Sequence, residues 1–280
     1  MPQNVNPLRQ FFRQPAIYLR LPSQGDFWPD GSIVMPENKE LPVFPMTAID
    51  DITYRTPDAL YNGQATVNVI QSCVPNIKNP WQMPATDLNS ILVAIRIASF
   101  GHDLELSTTC PKCSTEADYT VDLRTVLDQC ESPKFGEPMQ HGDLTIWLRP
   151  MDYYSQTETG KLQFEQQKSI AMVQESDMPE EKKIEELNKI LARITQLTIE
   201  ALKYSIHSIQ TPQAVVTEPE FIDEFLTQCD RNLFTQIRDH IVSMRDVSEF
   251  KPIDLKCENC GNEYKQNIQL DQSNFFDNAS

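Results

Sequence analysis

The chain reads as an α+β protein. A small β-ribbon core is closed by a four-cysteine zinc site, a helical insertion separates the two halves of that site, and an extended arm precedes them. Three features lead there. Two C-x2-C knuckles, Cys110-Pro111-Lys112-Cys113 and Cys257-Glu258-Asn259-Cys260, are each flanked by alternating apolar and polar residues. Between them runs a stretch of about 100 residues with helical periodicity, a size that can hold a core of its own. Ahead of them, prolines are frequent and glycines scarce, 20 against 8 over the chain.

The N-terminal part, residues 1–46, is expected as a proline-rich arm. Leu21-Pro22-Ser23-Gln24-Gly25-Asp26-Phe27-Trp28-Pro29-Asp30-Gly31 packs turn formers around an aromatic pair, which reads as a packing anchor. Pro36, Pro42 and Pro45 then restrict the next stretch to edge strands or extended chain. Met1 to Gln14 lacks the apolar core and cleavage site of a secretory signal.

Residues 47–149 are expected as a mixed region carrying the first knuckle. Thr47 suits a helix cap, and Thr56-Pro57-Asp58 suits a second helix start with proline at the first turn. Residues 66–74 are apolar enough for a buried helix or strand, and periodicity does not decide between them. Leu88, Ile91, Leu92, Ile95 and Ala98 form one stripe, predicting a helix over 88–100 with Asp87 as N-cap and Gly101 as its stop. Strand patterns enter the first knuckle at Leu104, Leu106 and Thr108 and leave it at Tyr119, Val121 and Leu123. Leu144, Ile146 and Leu148 continue the β character, with Gly142 at a turn.

Residues 150–250 are expected as a helical insertion. Helical character runs over 151–174, and a long helix follows from Asp177-Met178-Pro179-Glu180. Thr217-Glu218-Pro219-Glu220 has the form of a capping box, and a break is expected near Asp230. Residues 251–280 return to β around the second knuckle. Val121 and Ile268 stand at equal offsets from the first cysteine of their knuckles, as do Leu123 and Leu270, so the two halves echo each other.

Cys110, Cys113, Cys257 and Cys260 are the candidate metal ligands. Four thiolates complete the tetrahedral shell that Zn2+ takes in structural sites, leaving no open position for substrate. The alternatives are reduced thiol pairs or half-sites in an oligomer. Seven cysteines, four of them in knuckles, fit a reducing compartment better than a disulfide framework. Cys73, Cys130 and Cys229 have no patterned partners and read as small buried residues. Of the four histidines, His102 lies near the first knuckle but reads as a polar turn residue. There is no P-loop, G-x-G-x-x-G, G-x-S-x-G or HExxH, so no catalytic residues and no organic cofactor are expected.

A net charge of −16 disfavours a nucleic-acid partner, although a zinc ribbon is otherwise compatible with one. No run of about 18 apolar residues is present, so no membrane span is expected.

The order of these motifs resembles the baseplate hub proteins of T-even-type contractile-tailed bacteriophages. Leu21-Pro22-Ser23-x-Gly25-x-Phe27-x-Pro29 is similar to that family's opening signature. A hydrophobic helix at 88–100, a CPxC knuckle, Val121-Asp122-Leu123 and a closing Cys257-Glu258-Asn259-Cys260-Gly261 follow in the same order. Trp28 beside Phe27 departs from it, since one aromatic would suffice. The resemblance implies a non-enzymatic structural component of the tail baseplate, held together by structural zinc. Its partners would be other tail and baseplate proteins, with several copies in a symmetric assembly put together in the host cytoplasm. A variant of that expectation is an assembly factor absent from the finished virion.

Overall fold

In the computed structural model, residues 6–55 and 62–267 are described. The arm does not hang free. Strands β1 (Ile17–Leu19) and β2 (Leu41–Val43) pair antiparallel, with Leu19 opposite Leu41 and Tyr18 opposite Pro42. Because strand side chains alternate, Leu19, Leu41 and Val43 turn inward and are buried, while Tyr18 stays exposed. Pro42 lacks an N–H and is tolerated because this ribbon has only two strands. Arg13 fixes the start of the arm: its Nη2 donates to Ser72 O and Oγ, both at 2.8 Å.

Helix α1 (Ala48–Tyr54) begins with a full capping box, in which Thr47 Oγ1 accepts from Asp50 N and Asp50 Oδ2 accepts from Thr47 N. The expected helix start at Thr56-Pro57-Asp58 lies outside the described residues. The undecided stretch 66–74 is helical, α2 (Gln64–Cys73), and buries Ala65, Thr66, Val67, Val69, Ile70 and Cys73. Its exposed face is a narrow polar stripe, Gln64, Asn68 and Gln71, whose first member precedes the stretch read from the sequence.

Helix α3 (Ala85–Phe100) is the centre of this half, with Ile91 through Ile95 buried without a break. It ends at Gly101, whose φ of +88° suits glycine. Its start differs from expectation. Pro84 is the N-cap, and Asp87 lies inside the first turn, fully buried. There Asp87 accepts from Ser23 N at 2.9 Å, from Ser23 Oγ, and from Trp28 Nε1 at 2.8 Å. The residue that looked like a cap is the tether of the proline-rich turn. Strands β3 (Asp103–Thr109) and β4 (Glu116–Asp122) form the next hairpin, with Leu104 opposite Val121 and Leu106 opposite Tyr119. Leu123, expected to extend β4, starts helix α4 (Leu123–Asp128) instead, because Asp122 accepts from Arg124 N and caps it.

A second lobe follows. Strands β5 (Met139–His141) and β6 (Leu144–Leu148) turn at Gly142. Helices α5 (Tyr153–Glu175) and α6 (Glu180–Ser205) then pack as an antiparallel hairpin, in which no residue from 154 to 196 is buried. The stretch 150–250 is not helical throughout. It contains strands β7 (Ile206–Gln210) and β8 (Val215–Val216), completing an antiparallel sheet of order β5-β6-β7-β8. Ile146 faces Ile209 in that sheet, so it crosses the boundary expected at residue 150. Strand β7 follows α6 directly, with no glycine or proline between them to mark the change. Helix α7 (Pro219–Gln228) has Glu218 as N-cap with no side-chain cap bond; Glu218 accepts from Thr217 N instead, so the expected capping box does not form. Helix α8 (Arg231–Val247) is capped by Asp230, as the expected break requires. Strands β9 (Ile253–Lys256) and β10 (Glu263–Gln266) make the last hairpin.

Apolar burial gathers in two clusters. One is built on α2, α3 and the arm; the other on β6, β7, α7 and α8 around Ile146, Ile209 and Ile237. The start of α5 is anchored on the first cluster, where Ala85 N donates to Met151 O and Tyr153 N donates to Met83 O, both at 2.8 Å. Trp81 stacks on Tyr153 at that junction, and Phe27 meets Phe135 edge-on at 5.1 Å. The cysteine tips lie outside both clusters, whereas the hairpin bases join the first through buried Val121 and the adjoining Leu104, Leu106 and Ile253.

Candidate metal centre

Both knuckles fold by the same local rule. Cys110 N donates to Thr115 O at 2.9 Å and Ser114 N to Cys110 O at 2.9 Å. Cys257 N donates to Asn262 O at 2.9 Å and Gly261 N to Cys257 O at 2.8 Å. The residue after each second cysteine is left-handed, Ser114 at φ +56° and Gly261 at φ +67°. This turn presents both sulfurs of a knuckle on one side.

The two hairpins then meet tip to tip. Cys110 Sγ lies 3.8 Å from Cys260 Sγ, and Cys113 Sγ lies 3.7 Å from Cys257 Sγ. All four sulfurs fall within 4.8 Å of one another. Sulfurs bonded at about 2.3 Å to one tetrahedral ion stand about 3.8 Å apart, whereas a disulfide requires about 2.05 Å. The cluster therefore has the dimensions of a four-thiolate metal site, and all seven cysteines of the chain, these four included, are free thiols. It can hold one metal ion with a filled shell.

Contacts around the sulfurs set the approach of the hairpins. Asn259 Nδ2 donates to Thr115 Oγ1 at 3.0 Å and lies 3.8 Å from Cys113 Sγ. Tyr119 OH donates to Lys256 O at 3.2 Å, and Thr108 Oγ1 donates to Gln266 Oε1 at 3.0 Å. The Thr115 hydroxyl and N–H hold the Cys113 thiol down to about 6. Backbone N–H groups of Cys113 and Lys112 lower Cys110 as well. At Cys260 the Asn262 N–H works in the same direction, but burial and the neighbouring cysteines outweigh it and push the thiol up to about 11. The site thus pairs a Cys113 thiol that ionises readily with a Cys260 thiol that keeps its proton until a cation compensates the crowding of negative charge.

All four ligand candidates named from the sequence come together. Thr115 and Asn259 escaped sequence reading: two residues past one knuckle and inside the other, they carry no pattern before the hairpins are docked. His102 stands at the far end of β3, half-exposed, 3.5 Å from Asp103 Oδ1. Cys73 and Cys130 are pushed up by burial, to about 12 and about 11, and lie apart from the cluster. Ile268 and Leu270, which carried the echo between the knuckles, lie outside the described residues. Among the described residues no helix is long and apolar enough to cross a membrane.

Residues 46–277 match the family described as T4 bacteriophage base plate protein. Both knuckles and the hairpin lobe fall inside that span, whereas the Leu21-Pro22-Ser23 opening precedes it. No curated protein and no solved structure matches the chain.

Proposed function

We propose, for a chain that belongs to the T4 bacteriophage base plate protein family, that it acts as a non-enzymatic structural component of the baseplate hub, clipped together by one structural Zn2+. The observation that carries the reading is the family match, which spans well over half of the chain and implies a place in the virion tail. Its partners are then other tail and baseplate proteins, met during assembly in the host cytoplasm.

The four sulfurs support zinc rather than a harder cation, because thiolates at tetrahedral spacing suit a soft-to-borderline ion. Cys110, Cys113, Cys257 and Cys260 would hold it, and the ion would supply a cross-link between hairpins that bury little apolar surface of their own. A filled shell offers no open position, which supports structural rather than catalytic use. The acidic charge supports protein partners over nucleic acid.

Mass spectrometry of purified particles, with a tail map locating the chain, tests the placement. Presence at fixed stoichiometry near the tail axis is expected. Absence from particles would replace the structural reading with an assembly factor that leaves after the hub is built. A low-salt shift of DNA or RNA would favour a nucleic-acid module instead.

A further inference from the structure

The α5–α6 hairpin is a finger without a core. From residue 154 to 196 nothing is buried, although the free end carries apolar side chains: Met172 is 64% exposed and Ile184 58%. Helices in water owe most of their stability to a buried face, so a finger of this length calls for a further partner. Its free end is also strongly acidic. Between residues 172 and 186 six carboxylates stand against Lys182 and Lys183.

At the root of the same finger lies a cleft of about 520 Å³, between the N-terminal turns of α3 and α5, the end of α6, and α8. Its apolar floor includes Leu148, Leu202 and Met244. Its rim carries Arg149, Arg238 and Arg245, with Glu249 as the lone carboxylate. A basic rim is a marked local reversal in a chain of net charge −16. The arginines hold only weak commitments. Arg238 pairs with its neighbour Asp239 across exposed side chains, Arg245 Nε is 3.6 Å from Glu249, and Arg149 donates Nε to Tyr204 O.

We propose that the acidic, apolar tip of one chain's α5–α6 finger docks in the arginine-rimmed cleft of a second copy. Charge and apolarity match between these two surfaces and run against the average of the molecule, which is why a second copy is the occupant they favour. A chain cannot satisfy itself. The cleft residue Gly160 and the turn at Ser176 are about 24 Å apart along a straight helix at 1.5 Å per residue. The contact joins unlike surfaces, tip to root, so it closes as a pair when two copies dock reciprocally and as a ring or filament when they dock head to tail. It does not depend on the metal site or on the family reading.

The test is sedimentation equilibrium of the full chain with metal bound. Self-association is expected, weakening with salt. Arg238→Glu with Arg245→Glu reverses the rim, and Glu180→Lys with Glu181→Lys reverses the tip; all four positions are exposed, and circular dichroism checks the fold. Each double variant alone should associate at least about tenfold more weakly. Mixed together they should regain association, since the intact tip of one meets the intact rim of the other. A chain monomeric at about 100 µM, variants that associate like the parent, or a mixture no stronger than its components each overturns the proposal.

Discussion

The indole Nε1 of Trp28 donates to Asp87 Oδ2 at 2.8 Å, joining the proline-rich arm to the first turn of α3. Ser23 gives the same carboxylate two more donors, its N–H and its hydroxyl. One buried side chain thereby organises a turn that starts more than 60 residues earlier, as the separation of 64 from Ser23 records.

Asp87→Ala should be among the most destabilising single changes outside the metal site. It strands buried donors, each costing about 1–3 kcal/mol, so a loss of about 3 kcal/mol or more is expected in urea unfolding. Trp28→Phe, which strands none of the Ser23 donors, should cost less than half of that.

Burial, despite those three donors, pushes the Asp87 carboxyl above the usual carboxylate range. The folded state therefore holds a proton more tightly than the unfolded chain. Its stabilising effect is complete below the ordinary carboxylate pKa and is lost as pH rises through the raised one. The difference in unfolding free energy between the parent and Asp87→Asn should grow on acidification across that interval. A difference independent of pH would show that the Asp87 carboxyl is unshifted by folding, and one that shrinks on acidification would show that it stays ionised.

Replacing Cys257 by Ser should abolish binding of one Zn2+ per chain, measured by elemental analysis of the purified protein, and should lower thermal stability as EDTA does. Retention of one zinc per chain would mean that the knuckles do not share an ion. Release of metal should also follow acidification, because thiolates must be protonated to let it go.

Two glycines of equal conformational type should differ in their tolerance of alanine. Gly261 at φ +67° has nothing within 4 Å of an added Cβ, so Gly261→Ala should cost only the left-handed strain of about 1–2 kcal/mol. At Gly63, φ +76°, the new atom would come within 3.1 Å of Thr157 and Trp81 and 3.2 Å of Tyr153. Gly63→Ala should therefore exceed Gly261→Ala in thermal and denaturant unfolding. Equal costs would show that the Trp81–Tyr153 stack yields freely.

Ser114 occupies in the first knuckle the left-handed place that Gly261 holds in the second. Ser114→Gly should relieve that strain and raise the unfolding free energy by up to about 1 kcal/mol. A measured loss would assign the serine side chain a stabilising contact that outweighs its backbone.

The metal cluster was legible because spacing and strand alternation are both local signals, repeated at each knuckle. Helix α3 was legible from its stripe, although Asp87 was misread: a cap-type residue near a helix start resembles an N-cap until its tertiary donors are known. Helix α2 stays undecided because within 66–74 only Asn68 and Gln71 mark its exposed face, too short a run to separate helix from strand. Strand β7 was hidden for a different reason. Ile206 continues the apolar spacing of α6, and only pairing with β6 turns the chain from helix to strand. Thr115 and Asn259 belong to no motif and acquire their role from the meeting of two hairpins.

With an ion across Cys110, Cys113, Cys257 and Cys260, the intervening chain becomes a closed loop hung from one point. Tension between the arm and the segment beyond β10 would then cross the molecule through metal–sulfur bonds and bypass the β5-β6-β7-β8 lobe. That lobe, finger included, could tilt or change neighbours while lying off the line of pull. In an assembly that is mechanically loaded, the sulfurs decide which part bears the strain and which part stays free to move.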